Sequence, residues 1–459
     1  MQVKLVVVIG ALVLAPPVRA DHTSVHATAD GEVVTTDNLY SAGSGAFLRP
    51  EMFFTIRPGV LYAYDAPQMV HDFTADAEVV GYLSRTDKPL VTGHASWRSL
   101  FLPSPRTTLT MSISAGTGLL SLLSTRQSPD ETSATVTPSG KIDFQQTDTA
   151  ESVSWISSKH TRVLQGVVGR YGFTDDGSGT TGETREIGGN LGFERTFRKD
   201  TVVLDASVRY VRFERIAPIG AEIGSRLDHQ INPRGVVTWR HDLDRRWSTN
   251  LDGGVVFVNP VGTDKYNPGL MKRSGTFAVF GGQVAYVEPW GRAMLSARRN
   301  VEPNLFLAQN TVNDEANLQL AMPLTWFGGS MRRPLVAALG SVGLAHTQLI
   351  DAQSGSTEGN FRVAHADASL GWTPNPGQTY GLRYELVYQT GDEAAQRTAP
   401  AFIRNTLYVT FSLRYPARVA GEVPKRMKGM RSDRKDMLPS GGEQIIPDVL
   451  EEGQDDGAR

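Results

Sequence analysis

Short segments in which apolar and polar residues strictly alternate recur along this chain, and they restrict its fold more than any other feature. In residues 378–388 (QTYGLRYELVY), Tyr380, Leu382 and Tyr384 alternate with residues that include Arg383 and Glu385. Successive side chains of a β-strand point to opposite faces, so this pattern predicts a strand with one apolar and one polar face. Similar runs occur around residues 73–81, 108–115, 202–210, 364–372 and 407–415. Each has about the ~9–11 residues with which a tilted strand crosses a bilayer.

The connections between these runs alternate between long and short. Long polar loops occur at 174–184, 259–269, 351–360 and 390–400, and short turns at 197–200, 243–246, 287–291 and 373–378. This rhythm is typical of transmembrane barrels, which have long loops on one side and tight turns on the other. The sequence therefore predicts an all-β fold, a single transmembrane antiparallel β-barrel over residues 49–416 with a polar lumen. About 16–18 strands fit, and 18 is favoured because single-chain bacterial barrels have even strand numbers.

The N-terminus indicates export. Residues 1–20 combine Lys4, an apolar run over 5–14 and small residues Val18 and Ala20 before Asp21, which is the pattern of a secretory signal peptide. The apolar run is too short for a membrane-spanning helix. The chain has no cysteine, which excludes a lipidated N-terminus, disulfides and thiolate metal sites. A formal net charge of −2 gives no sign of nucleic-acid binding. We expect the chain in the outer membrane of a Gram-negative cell, with lipid as a partner.

Two segments lie outside the predicted barrel. Residues 21–48 are polar, and we expect them to form a periplasmic N-terminal segment. Residues 417–459 contain a basic stretch (425–435) followed by an acidic one (448–456). Such charge blocks are typical of disordered chain, so we expect a disordered periplasmic tail.

We found no catalytic constellation, and we predict neither an enzyme nor a cofactor or metal site. His241 and Asp244 fall at a turn, where Asp is common. His365 and Asp367 lie on the polar face of one strand, but no serine stands out as a nucleophile beside them. The polar faces predict a lumen lining of both charge signs, which favours a weakly selective pore or internally paired charges. The candidate lumen-lining residues are Asp76, Glu78, Asp205, Arg209, His365, Asp367, Arg383 and Glu385.

A short N-terminal stretch resembles a known family. Thr36-Asp37-Asn38, then Phe53-Phe54 and then Pro58-Gly59 are similar to the start of outer-membrane β-barrel proteins of bacterial exopolysaccharide secretion systems. That resemblance implies an exit pore through which a polysaccharide crosses the outer membrane, working with a periplasmic polysaccharide export protein. Glu51-Met52 stands where that family often has Asp, and the long C-terminal tail is a second departure.

Two other functions fit the same barrel. A general porin or small-solute uptake channel would conduct without a polymer pathway. A structural or adhesion barrel would have a plugged lumen and functional outer loops. Fold alone does not choose among the three.

Overall fold

The computed structural model describes residues 22–415, except 40, 42–49, 67, 84–88, 120–140, 219–223, 245, 268, 270–271, 289, 305–308, 331–332, 351–354, 356, 376 and 397–398. The described residues form an 18-stranded sheet. In chain order its strands are β1 His22–Thr36, β2 Glu51–Ala66, β3 Met69–Tyr82, β4 Leu90–Ser104, β5 Thr107–Leu119, β6 Asp143–Ser158, β7 Thr161–Asp175, β8 Thr181–Thr196, β9 Asp200–Ile216, β10 Arg226–Asp242, β11 Trp247–Pro260, β12 Gly275–Glu288, β13 Gly291–Asn304, β14 Gln309–Pro323, β15 Val336–Ile350, β16 Thr357–Asn375, β17 Gln378–Gly391 and β18 Phe402–Tyr415.

The sheet is closed. Each strand pairs antiparallel with the next along the chain, and β1 also pairs antiparallel with β18. Closure pairs the first strand with the last, so that backbone N–H and C=O groups along the wall satisfy one another, as a lipid environment requires; the one local break, between β12 and β13, is described below. The predicted all-β, 18-stranded antiparallel barrel is confirmed.

The two ends of the barrel differ. The connections that follow the even-numbered strands β2 to β16 lie at one end of the barrel, the end predicted to have short turns. Most of these turns are two to four residues long. The connection after β14 is longer and contains a small hairpin, Gly329–Ser330 with Arg333–Pro334. Both the first residue of β1 and the last of β18 lie at this same end. Among the described residues, no helix is long and apolar enough to cross a membrane.

The outer wall carries the apolar half of each alternating run. In β17, Leu382 is 48% exposed and Tyr384 45%, whereas Glu385 on the opposite face is buried. Six of the seven tryptophans lie at the short-turn end, where aromatic side chains anchor a barrel at the lipid interface. They are Trp155, Trp239, Trp247, Trp290, Trp326 and Trp372. A closed barrel with this apolar belt spans the outer membrane.

The first strand corrects the predicted domain boundary. We expected residues 21–48 outside the barrel, but His22–Thr36 forms β1 and closes the wall between β2 and β18. Its outward residues include Ala27, Ala29 and Gly31, which are too small to produce a clear apolar alternation. The predicted signal peptide (1–20) and C-terminal tail (417–459) fall outside the described residues.

Candidate functional site: the inner face of the barrel

The strand register places all eight candidate lumen-lining residues on the inner face, opposite the exposed apolar belt. Six of them lie on one arc of the wall, on β3, β16 and β17, near the β1–β18 seam. The other two, Asp205 and Arg209, lie on β9 on a distant arc. The two arcs have different environments, and the arc near the seam is mostly buried.

The arc near the seam is a buried ion network. Arg383 on β17 contacts Asp367 on β16 and lies 3.6 Å from Glu385. Glu385 also lies 3.3 Å from Arg404 and accepts a 2.7 Å hydrogen bond from the Tyr408 hydroxyl. The side chains of Asp367, Glu385 and Arg404 are at most 4% exposed. Buried charges of this kind need their partners, so we interpret the network as a brace that fixes the wall.

The same brace continues across β1, β2 and β3. Arg57 pairs with Glu32 and lies 3.3 Å from Glu78, which also accepts a 2.9 Å hydrogen bond from Thr92. Asp76 lies farther towards the short-turn end, 3.4 Å from His94. Four strands next to the closing seam are therefore tied together by side chains as well as by the backbone.

On the distant arc, arginines are exposed to the lumen and are more exposed than the carboxylates that they pair with. The side chain of Arg209 is 33% exposed, while its partner Glu186, 2.9 Å away, is 2% exposed. Arg298 is 51% exposed against 15% for Glu315, at 3.0 Å. Arg170 on β7 pairs with Asp148 at 2.8 Å, with exposures of 41% and 27%, and it also lies 3.7 Å from the recessed Glu186. Asp205, the remaining predicted residue here, accepts a 3.1 Å hydrogen bond from Asn190. The surface offered to water is therefore more positive than the charge count suggests.

Part of the wall folds into the lumen. Pairing between β12 and β13 ends at Phe280 and Arg299, although both strands continue towards the long-loop end. Residues 300–304 of β13 and 309–313 of β14, here called the inner hairpin, remain paired to each other. By alternation Val301 and Val312 should face lipid, yet they are 8% and 0% exposed.

These two valines pack on the inside of the neighbouring wall. They form one apolar cluster with inward-facing side chains of β10, β11 and β12, and Ile350 of β15 joins it. The cluster members from β10–β12 are Val236, Val256, Val258, Phe277 and Val279. The inner hairpin thus overlaps β10–β12 as a second layer, and this apolar contact holds it in the lumen.

Polar contacts also hold the described residues of the inner hairpin. The Asn310 side-chain amide donates to Gln230 on β10, and both residues are buried. Glu302 interacts electrostatically with Arg298 on its own strand and with Arg170 on β7. Strands β7 and β13 lie six positions apart in the wall. The charges of Arg170 and Glu302 are therefore close enough to interact, although their strands are far apart in the wall.

The sequence pattern indicated no loop folded inward. Arg170, Arg298 and Glu302 were not among the candidate lumen-lining residues. A strand whose apolar side faces a second protein wall has the same kind of pattern as one whose apolar side faces lipid. The identities of Val301 and Val312 therefore could not predict that they lie inside the barrel. One signal was available: Asn300, Glu302 and Asn304 make this end of β13 unusually polar.

The histidine and aspartate residues considered for a catalytic or metal site do not come together in one place. His365 lies on the inner face of β16, next to the buried ion network, and His241 contacts Asp200 at 2.8 Å rather than Asp244. Among the described residues no group of three or more His, Asp or Glu side chains could hold a metal ion.

No protein-family model matches the chain, and no curated protein matches it. Similar solved structures include OccK2 (OpdF) of Pseudomonas aeruginosa in complex with glucuronate, at 9% identity and a TM-score of 0.44, covering 86% of this chain and 99% of that one. OpdK of Pseudomonas aeruginosa with vanillate matches at 10% identity and 0.44, covering 86% and 100%. OccAB1 of Acinetobacter baumannii matches at 10% and 0.43, covering 86% and 97%. At this level of similarity the comparison concerns only the barrel architecture, and it does not identify a solute for this chain.

Proposed function

We propose that this chain is a passive outer-membrane channel for small water-soluble solutes, with a preference for anions. The observation that carries the proposal is the distant arc, where Arg170, Arg209 and Arg298 are each more exposed to the lumen than the carboxylates that they pair with. A charged wall in a low-dielectric barrel concentrates ions of the opposite sign. The inner hairpin supplies the narrow section in which solute and wall come close.

This proposal takes up the small-solute alternative in place of polysaccharide export. A polysaccharide would have to thread past a hairpin that is fixed against the inside of β10–β12 by an apolar cluster and by the Asn310–Gln230 contact. A small solute only has to fit beside it. The resemblance to exopolysaccharide secretion proteins covers a short N-terminal stretch. The export protein and the polymer that it implies stay predictions, as does the structural or adhesion barrel.

The test is ion selectivity in a planar lipid bilayer. We would insert the purified protein, apply a KCl gradient and read the reversal potential, which reports the ratio of chloride to potassium permeability. We expect chloride to be favoured. Replacing both Arg170 and Arg298 by Gln should lower that ratio by roughly several-fold, because two of the exposed charges are lost.

A matched control lies one residue away. Arg299 faces the outside of the same strand and lies 3.3 Å from Asp314, so Arg299→Gln should leave selectivity unchanged. A wild-type channel that prefers potassium, or equal effects of the Arg298 and Arg299 substitutions, would overturn the anion preference. A protein that conducts no ions would overturn the channel itself.

A further inference from the structure

The outer wall of β8 and β9 changes abruptly from apolar to basic near the long-loop end. Ile187 is 60% exposed and lies opposite Tyr210 in the register. At the next outward position towards the loops, Arg185 lies opposite Arg212. The guanidinium of Arg185 lies 5.9 Å from the centroid of the Tyr171 ring on β7. Two arginines therefore stand where the apolar belt meets the headgroups of the outer leaflet.

Like charges directly opposite each other on neighbouring strands repel. Glu183 relieves part of this, because it contacts Arg185 and lies 3.7 Å from Arg212. Arg212 also contacts Glu214, but Lys265 from the β11–β12 loop contacts the same carboxylate. Three cations thus share two carboxylates.

Two of the three cations are also clearly more exposed than their partners, whereas Arg212, at 25%, is about as exposed as Glu183. The Arg185 side chain is 57% exposed and Lys265 is 52%, against 23% for Glu183 and 10% for Glu214. The excess positive charge therefore faces outwards at headgroup depth. Arginine binds phosphate oxygens with a planar, multi-donor group, which suits it to such an anion.

We propose that Arg185, Arg212 and Lys265 bind the phosphate of a lipid headgroup in the outer leaflet. Arg185 and Arg212 would donate to the phosphate oxygens while the acyl chains lie along the apolar belt beside Ile187. This site lies on the outside of the barrel and is independent of the proposed channel function.

The experiment is native mass spectrometry of the full-length protein in detergent, with bis-phosphorylated lipid A added as the probe. We expect a lipid-bound species for the wild type. The double variant Arg185→Gln, Arg212→Gln should weaken binding by about tenfold, as loss of charge-assisted hydrogen bonds to a phosphate implies. Fully dephosphorylated lipid A should bind the wild type only weakly. Its affinity should be no higher than that of phosphorylated lipid A for the double variant.

Arg195→Gln is the matched control, since Arg195 also faces outwards on β8 but at the short-turn end, where it lies against Phe197. Its binding should equal that of the wild type. Arg185→Lys keeps the charge and should retain most of the binding, which separates charge loss from misfolding. Equal binding by the double variant, or an equal loss in Arg195→Gln, would overturn the site. Full displacement of lipid A by inorganic phosphate would show a free-anion site and overturn the lipid proposal.

Discussion

At the scale of single residues, Arg383 and Arg170 both face the inside of the barrel, but only Arg170 is well exposed to water. Removing Arg383 leaves Asp367, whose side chain is 0% exposed, without its partner. An uncompensated buried charge costs about 3–5 kcal/mol, so Arg383→Ala should lower the free energy of unfolding by that amount. Arg170→Ala removes a pair in which Arg170 is 41% exposed and should cost ~0–1 kcal/mol. Urea unfolding of the protein in lipid vesicles would measure both. Equal losses would contradict the brace.

Two glycines make a second residue-scale comparison. A Cβ at Gly254 on β11 would meet the backbone carbonyl oxygen of Gly235, which cannot move without distorting the sheet. A Cβ at Gly31 on β1 would instead meet the ring of Phe411, a side chain that is 38% exposed and free to turn towards lipid. Gly254→Ala should therefore cost about 1–3 kcal/mol of unfolding free energy and Gly31→Ala clearly less. The same urea titration checks the order, and a larger loss for Gly31→Ala would refute this reasoning.

At the scale of elements, we expect the inner hairpin to stay in place during conduction rather than act as a gate. Swinging it out would expose Val301 and Val312 and break the buried contact between Asn310 and Gln230. Because the chain has no cysteine, Gln230→Cys with Asn310→Cys introduces one defined pair. Cross-linking that pair should leave single-channel conductance unchanged. A fall in conductance would mean that the hairpin moves during conduction, and Asn310→Cys alone controls for the reagent.

The elements also show what the sequence could and could not predict. Strands such as β17 were clear, because large apolar residues alternate with charged ones. In β1, Ala27, Ala29 and Gly31 carry too little apolar surface for the period to stand out. The inner hairpin was missed because the pattern over residues 300–325 is ambiguous, and apolar residues such as Val301 and Val312 look the same whether they face lipid or a second protein wall. All eight candidate residues lie on the inner face, yet their separation into a buried brace and a water-lined arc depends on pairings between strands far apart in sequence.

At the scale of the whole molecule, the long loops and the short turns should lie on opposite sides of the membrane. Ser178 is in the exposed β7–β8 loop and Lys159 in the exposed β6–β7 turn. With no native cysteine in the background, Ser178→Cys should react with a membrane-impermeant maleimide on intact cells. Lys159→Cys should react only after the outer membrane is permeabilised. The reverse pattern would invert the orientation of the barrel.

The seam between β1 and β18 also sets an order of folding events. It joins residues 27–36 to residues 406–415, so its partners are made at opposite ends of synthesis. Until β18 exists, the growing sheet has two open edges whose unpaired backbone groups cannot enter lipid and can pair with other chains. Because pairing so distant in sequence is the slowest to form, closure should be the last and rate-limiting step of assembly. A chain cut short before Phe402 would therefore be a substrate for proteases in the periplasm rather than a smaller pore.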